Sequence, residues 1–244
     1  MLLSRAQALT FDVYGTLIDW EAGIAQALAP WAAKNGLIAS RSQFLDAFAA
    51  NESRRQQENP ELRYPQVLEL VFEDIANAFG VTPSPEDAEA FGASVGDWPA
   101  FSDSVEALRR LSRHYKLAVI SNVDRAAFAG SAKKLRADFD VVVTAEDAGA
   151  YKPDLAPFRL AIDELSELGV GFDGILHTAQ SLYHDHVPAQ RLGLATCWID
   201  RQNHAEGGDR GATPPAPGAP EPDLRYTTMA ELAEAVRLAF EAGR

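Results

Sequence analysis

The chain has 244 residues, with 22 Lys plus Arg against 35 Asp plus Glu. The resulting formal charge of −13 repels phosphodiester backbones and argues against a nucleic-acid partner. A single cysteine, Cys197, excludes an internal disulfide, and no apolar run approaches the ~20 residues of a membrane span.

Taken in order, Met1 to Arg5 lacks the long apolar region of a signal peptide, so the expected location is cytoplasmic. Ala8 to Phe11 is an apolar run ending in Asp12, with a glycine turn at Gly15 and a hydroxyl at Thr16. This pattern predicts a short buried strand that presents a carboxylate to a crevice, although an Asp-initiated turn would look the same locally. Asp19 to Asn35 has helical spacing, with Ile24, Leu28 and Trp31 on one face and Gly36 as a stop. Further helices are expected from Ser42 (Phe44, Leu45, Phe48 and Ala49 inward), over Tyr64 to Phe79, and from Ser84-Pro85. No convincing strand lies between Asp19 and Trp98. The expectation is therefore an all-helical insert over 19–98, with the core formed by 1–18 and 99–244.

From Trp98-Pro99 onward, helices alternate with strands. Strands are expected at Lys116–Ile120, Phe139–Thr144, Gly174–Thr178 and Ala195–Ile199, with a last edge strand at Arg225-Tyr226. Helices are expected at Ser104–His114, from Asp124 to Leu135, and over Ala156–Leu168, Val187–Leu192 and Met229–Phe240. Gln202 to Asp223 is rich in Gly and Pro and reads as a surface loop. Cys197, within an apolar stretch, reads as core filling.

This alternation implies an α/β fold, a Rossmann-like parallel sheet covered on both faces. Ligands on open α/β sheets bind beyond the carboxyl ends of the strands. Asp12, Ser121, Lys152 and Asp185 each follow a different expected strand, so all four can meet at one edge. Polar loops at strand ends are common, and any one of the four could be incidental; their convergence is the stronger signal.

The segment Asp12-Val13-Tyr14-Gly15-Thr16-Leu17 resembles the first motif of the haloacid dehalogenase superfamily. Its phosphatases begin DxDGT and its 2-haloacid dehalogenases DxYGT. The resemblance implies that Asp12 is the nucleophile. Ser121-Asn122 is similar to the second motif, which holds the substrate's anionic group, and Lys152 to the third, whose ammonium neutralises the nucleophile's surroundings. Asp185 matches the last acid of the fourth, and the helical insert looks like the cap that closes over the site. On this resemblance Asp12, Lys152 and Asp185 are catalytic. Tyr14, Thr16, Trp20, Ser121, Asn122, Phe158, Tyr183 and His184 are assigned to substrate binding.

Tyr14 stands where the phosphatases carry a second carboxylate, and a phenol of pKa about 10 is a poor acid near neutral pH. Ser181 stands where they carry a further acidic residue, so neither metal nor other cofactor is expected. A Mg²⁺-dependent small-molecule phosphatase is the alternative, and a non-enzymatic binding protein on the same fold a second one.

Inside the dehalogenase branch the chain departs at the leaving-group side. The stretch Phe48 to Glu52 lacks the arginine that contacts halide in dehalogenases, and Arg54 and Arg55 follow it; Phe158 replaces a tyrosine; Gln180 and Leu182 replace Ser and Asn. The rebuilt Ser181-Leu182-Tyr183-His184-Asp185-His186 segment resembles that of azetidine-2-carboxylate hydrolases, which open a strained ring. His184 and His186 as metal ligands are the weaker reading, since side chains two residues apart seldom converge; Tyr183, His184 or His177 could handle a proton. The expected partner is a small carboxylate, with no membrane or nucleic acid; a homodimer is left open.

Overall fold

The computed structural model describes residues 2–207, 216, 218 and 220–242; residues 208–215, 217 and 219 of the Gly/Pro-rich loop expected over Gln202 to Asp223 lie outside them. Six parallel strands form one sheet: β1 (Ala8–Phe11), β2 (Lys116–Ser121), β3 (Val141–Thr144), β4 (Ile175–Ala179), β5 (Ala195–Ile199) and β6 (Leu224–Tyr226). Their order is β3-β2-β1-β4-β5-β6. The central β1 pairs with β2 on one side and β4 on the other, with Phe11 opposite Val119 and Thr178.

Every residue of β1 is buried, as a strand covered on both faces requires. Successive side chains alternate between two cores. Leu9, Phe11, Leu117 and Val119 join the core packed by Leu108, Leu111, Met229, Leu232 and Val236. Ala8, Ala118 and Ile120 join the opposite core with Phe158, Ala161 and Leu165. Helices Ser104–Leu111 and Met229–Glu241 therefore cover one face, and Ala156–Glu167 the other.

Between β1 and β2 the chain is helical. Trp20–Lys34 is capped by Asp19, whose carboxylate accepts from Ala22 N, and Arg41–Ala49 carries a Ser40/Gln43 capping box. Tyr64–Ala78 and Pro85–Gly92 follow. Trp31 is the hub of this segment, with ring contacts to Phe44, Phe72 and Phe79. One α-helix of the insert escaped the sequence reading: Glu52–Glu58, sequence ESRRQQE, in which only Gln56 is buried. It has no apolar stripe to detect.

The insert leaves and rejoins the core at neighbouring points: Asp19 N donates to Pro99 O, and Ile18 bridges to both Tyr14 and Ala100. Trp98 is buried at this junction, edge-on to Tyr14 with ring centroids 5.7 Å apart. A Cβ on Gly23 would lie 2.2 Å from Trp98 Cγ, so the first helix can approach this indole only as glycine. Among the described residues no helix is long and apolar enough to cross a membrane.

Candidate active site

Four strand ends, those of β1 to β4, bring the site together at the carboxyl edge of the sheet. Asp12 follows β1 directly, and its N–H donates to Thr178 O, which holds the backbone in register with β4. The chain then turns at Gly15, where φ is +97°. A Cβ there would lie 3.1 Å from Trp20 Nε1 and 3.2 Å from Gln180 Oε1, so both conformation and space require glycine. The turn returns Thr16 to Asp12: Thr16 Oγ1 donates to Asp12 Oδ2 at 2.7 Å and accepts from Gln180 N at 2.8 Å. With both roles taken, Thr16 orients the carboxylate.

Lys152 reaches the same place from the loop after β3. Its Nζ donates to Asp12 Oδ1 at 2.8 Å, Asp185 Oδ1 at 2.7 Å and Ile120 O at 3.0 Å. Asn122 fixes the lysine backbone, with Oδ1 accepting from Lys152 N at 2.7 Å and Nδ2 donating to Lys152 O at 3.2 Å. Asp185 lies in a single π-helical turn, Leu182–His186, after β4. Behind it, His177 Nε2 lies 3.1 Å from Asp185 Oδ1, and Thr10 Oγ1 lies 2.9 Å from His177 Nδ1. An ionised carboxylate only accepts, so Nε2 carries the proton and donates. Thr10 and His177 are register partners on β1 and β4.

Lys152 is thus an ammonium shared by two carboxylates in a nearly dry setting. Burial works against its charge, but Asp12 and Asp185 outweigh that and raise its pKa. Burial also presses on Asp185, yet Lys152 and His177 together hold it well below the usual carboxylate range. Asp12 falls on the other side of the balance. Burial pushes it above the ordinary value, Lys152 opposes this, and the nearby Asp185 charge adds to the rise. One oxygen of the pair is unspoken for: Asp185 Oδ2 is buried without a hydrogen-bond partner.

The cavity above these groups is lined by Asp12, Tyr14, Trp20, Glu52, Tyr64, Asn122, Val123, Lys152, Ser181, His184 and Asp185. Of the residues expected to bind substrate, Tyr14, Trp20, Asn122 and His184 reach it. Burial lowers the His184 pKa to about 4, so its imidazole is neutral at pH 7. Tyr14 is held by a 2.9 Å hydrogen bond to Ser131 Oγ, and burial pushes its phenol above its ordinary pKa.

The remaining expected residues do not line this cavity, and for Phe158, Tyr183 and His177 this corrects the expected contact. Phe158 is fully buried in the core beneath the sheet, its ring against His177, because its helix packs that side chain inward. Tyr183 borders a neighbouring cavity with Ser53, Gln56 and Tyr151. Thr16 and Ser121 are fully buried and lie behind the cavity surface, with Ser121 Oγ unpartnered. His177, weighed as a proton carrier, is sealed behind Asp185 and supports that carboxylate.

Four lining residues, Glu52, Tyr64, Val123 and Ser181, were not among those assigned to the site, and two of them, Glu52 and Tyr64, are ionisable. Glu52 opens the helix that has no apolar stripe, and Tyr64 reads as a helix-start residue on a core face. Tyr64 OH donates to Glu52 Oε1 at 3.2 Å, Gln56 Nε2 to the same oxygen at 2.6 Å, and Ser53 Oγ to Oε2 at 3.3 Å. Burial pushes the Glu52 carboxyl up to about 7. Arg54 and Arg55 both turn away to Asp74, at 2.8 and 2.7 Å, and neither lines this cavity.

The family model for haloacid dehalogenase-like hydrolases matches residues 6–173. The chain belongs to the haloacid dehalogenase-like hydrolase family. Among curated relatives it is similar to an (S)-2-haloacid dehalogenase of Pseudomonas putida, with 24% identity over 216 residues, covering 83% of this chain and 88% of the relative. Among solved structures, the defluorinating L-2-haloacid dehalogenase Rha0230 superposes with a TM-score of 0.77 at 23% identity, covering 95% of each chain. The L-2-haloacid dehalogenase of Xanthobacter autotrophicus with covalently bound chloropropionic acid gives 0.75 at 15% identity, covering 95% of this chain and 98% of that one. These likenesses establish the Rossmann-like fold of this family of hydrolases.

A Mg²⁺ ion, used by phosphatases on this fold, needs several hard oxygen ligands. Here Lys152 Nζ occupies the space between the two carboxylates. Tyr14 and Ser181 stand at the other acidic positions, and Ser181 Oγ is engaged by His184. Among the described residues no group of three or more His, Cys, Asp or Glu is placed to hold a metal. The residues present do not fit the ion.

Proposed function

We propose that this hydrolase displaces a leaving group from the carbon next to a substrate carboxylate, through an ester formed on Asp12. The supporting observation is the trio Asp12–Lys152–Asp185, with one oxygen of Asp185 left unpartnered. Thr16 and Lys152 orient Asp12, and Lys152 stabilises its ionised form against burial. One Asp12 oxygen attacks the saturated carbon in line with the departing group. A water held by Asp185 Oδ2 then attacks the ester carbonyl of Asp12, releasing a 2-hydroxy acid and restoring the carboxylate.

The substrate carboxylate is received at the end of β2, where Ser121 Oγ has no other partner. Residues 19–98 act as a cap domain over a core of 1–18 and 99–244, since Trp20, Glu52 and Tyr64 face Asp12 from the insert. An acidic chain with one buried cysteine suits the reducing cytoplasm.

The test is a single turnover in H₂¹⁸O with enzyme in excess over 2-chloropropionate or azetidine-2-carboxylate, followed by mass analysis of the Asp12 peptide. Label is expected in the Asp12 carboxylate, and Asp12→Asn should abolish turnover. Label confined to the product would overturn the covalent route.

A further inference from the structure

Behind the trio lies a polar chain that the attack of Asp12 does not use. Thr10 on β1 and His177 on β4 are register partners, and both are sealed from solvent. Thr10 Oγ1 lies 2.9 Å from His177 Nδ1, and His177 Nε2 lies 3.1 Å from Asp185 Oδ1. Phe158 packs steeply against the imidazole, with ring centroids 5.1 Å apart. Nε2 carries a proton, because an ionised carboxylate only accepts. Among the described residues the Thr10 hydroxyl has no acceptor other than His177 Nδ1. The hydroxyl therefore donates to a bare Nδ1, and the imidazole is held as one neutral tautomer.

Two donors meet on the same oxygen of Asp185. Lys152 Nζ at 2.7 Å and His177 Nε2 at 3.1 Å both take Oδ1, and Oδ2 has no partner. In the resting site Lys152 is shared with Asp12 and with Ile120 O. An ester on Asp12 removes the first of these charges, so Asp185 becomes the one carboxylate left to the ammonium. A lysine is a rotatable point charge and can take either oxygen of a carboxylate, including the one that has to hold water. His177 cannot follow it, because two central strands and Thr10 fix the ring. Resting on the displacement reading above, we infer that Thr10 and His177 are positioning residues for ester hydrolysis. They grip Asp185 Oδ1, so that Oδ2 stays turned to the water while Asp12 is esterified.

The pair itself exchanges no proton. Water bonds to the Asp12 carbonyl carbon and passes one proton to Asp185 Oδ2. The bond between that carbon and the product oxygen breaks, and the product oxygen takes this proton from Oδ2. The second proton of the water leaves Asp12 for solvent as its carboxylate returns to Lys152. Ester formation needs neither residue, because Thr16 and Lys152 orient Asp12 without them.

One readout needs no turnover. In full-length protein labelled with ¹⁵N-histidine, the His177 signals, assigned by their loss in His177→Phe, should show Nε2 protonated and Nδ1 bare at pH 7.5. Thr10→Val removes the hydroxyl at nearly constant shape and should move the Nδ1 resonance. An imidazolium, or a proton on Nδ1, would overturn the assignment. The second readout follows the Asp12 ester by quenched flow and intact mass in single turnovers of 2-chloropropionate or azetidine-2-carboxylate. Thr10→Val and His177→Phe should form the ester at the wild-type rate. They should hydrolyse it about tenfold and about 100-fold more slowly, as suits the loss of a neutral and of a charge-assisted hydrogen bond. Thr10→Ser keeps the hydroxyl and should restore hydrolysis, which carries the test even where His177→Phe does not fold. A purely structural role would slow both steps alike, and that result, or an unchanged hydrolysis rate in Thr10→Val, overturns the positioning role alone. Absence of any ester in wild type would instead bring down the displacement reading, and this role with it.

Discussion

Replacing Glu52 by glutamine should stabilise the protein, and only above a defined pH. In the folded state burial raises this carboxyl from an ordinary 4.5 to about 7, which means that folding disfavours its charge. Below pH 4.5 it is protonated whether folded or not and contributes no difference. Between 4.5 and 7 the folded state holds the proton that the unfolded chain has lost, so stability falls as pH rises. Above 7 the full penalty is present. The separation of the two values corresponds to about 3 kcal/mol, a ceiling because the side chain keeps some access to the cavity. Glutamine keeps the shape and can still accept from Tyr64 and Gln56, so it removes the charge alone. Urea unfolding of wild type and Glu52→Gln at pH 4.5 and pH 8, followed by circular dichroism, is the assay. The variant should match wild type at pH 4.5 and exceed it by about 1–3 kcal/mol at pH 8. Equal stability at both pH values would refute the claim that Glu52 is desolvated and unpaired.

Two further outcomes follow from the trio. Asp185→Asn should form the Asp12 ester but fail to hydrolyse it, so intact-mass measurement after substrate addition should show a stable adduct; an unmodified protein that still turns over would remove Asp185 from the water step. Exhaustive EDTA treatment should leave activity in place and added Mg²⁺ should not raise it, because Lys152 fills the space between the carboxylates; a reproducible Mg²⁺ requirement would overturn that assignment.

The parts of the site legible in the sequence are those that the sheet itself positions. A strand that ends in Asp12, and others followed by Ser121, Lys152 and Asp185, must deliver those residues to one edge once all strands run parallel. Register does the rest: pairing of β1 with β4 sets Thr10 beside His177, and that contact in turn places His177 behind Asp185. The errors have the same physical origin in reverse. Phe158 sits at a motif-matched position, but the packing of its helix turns the ring inward, and this depends on which face the sheet covers. Tyr183 lies two residues from Asp185, but the π-helical turn sends it to the neighbouring cavity.

The far wall of the cavity follows a different logic. Glu52 is positioned by a short polar helix whose sequence lacks any apolar period, held by hydrogen bonds from Tyr64 and an ion pair from Arg55 to Asp74 across to the next helix. None of these contacts leaves a local signature, because each joins residues that the chain separates by a loop. The same feature frees this wall to change. The trio is locked into strand ends shared with the core, and a substitution there disturbs buried charge on three elements. Glu52–Glu58 contributes only Gln56 to the fully buried set, and polar contacts hold it: Tyr64 to Glu52, and Arg54 and Arg55 to Asp74. In this architecture Asp12, Lys152 and Asp185 are tied to the sheet, and the facing wall of the cavity rests on a short helix with a single fully buried residue.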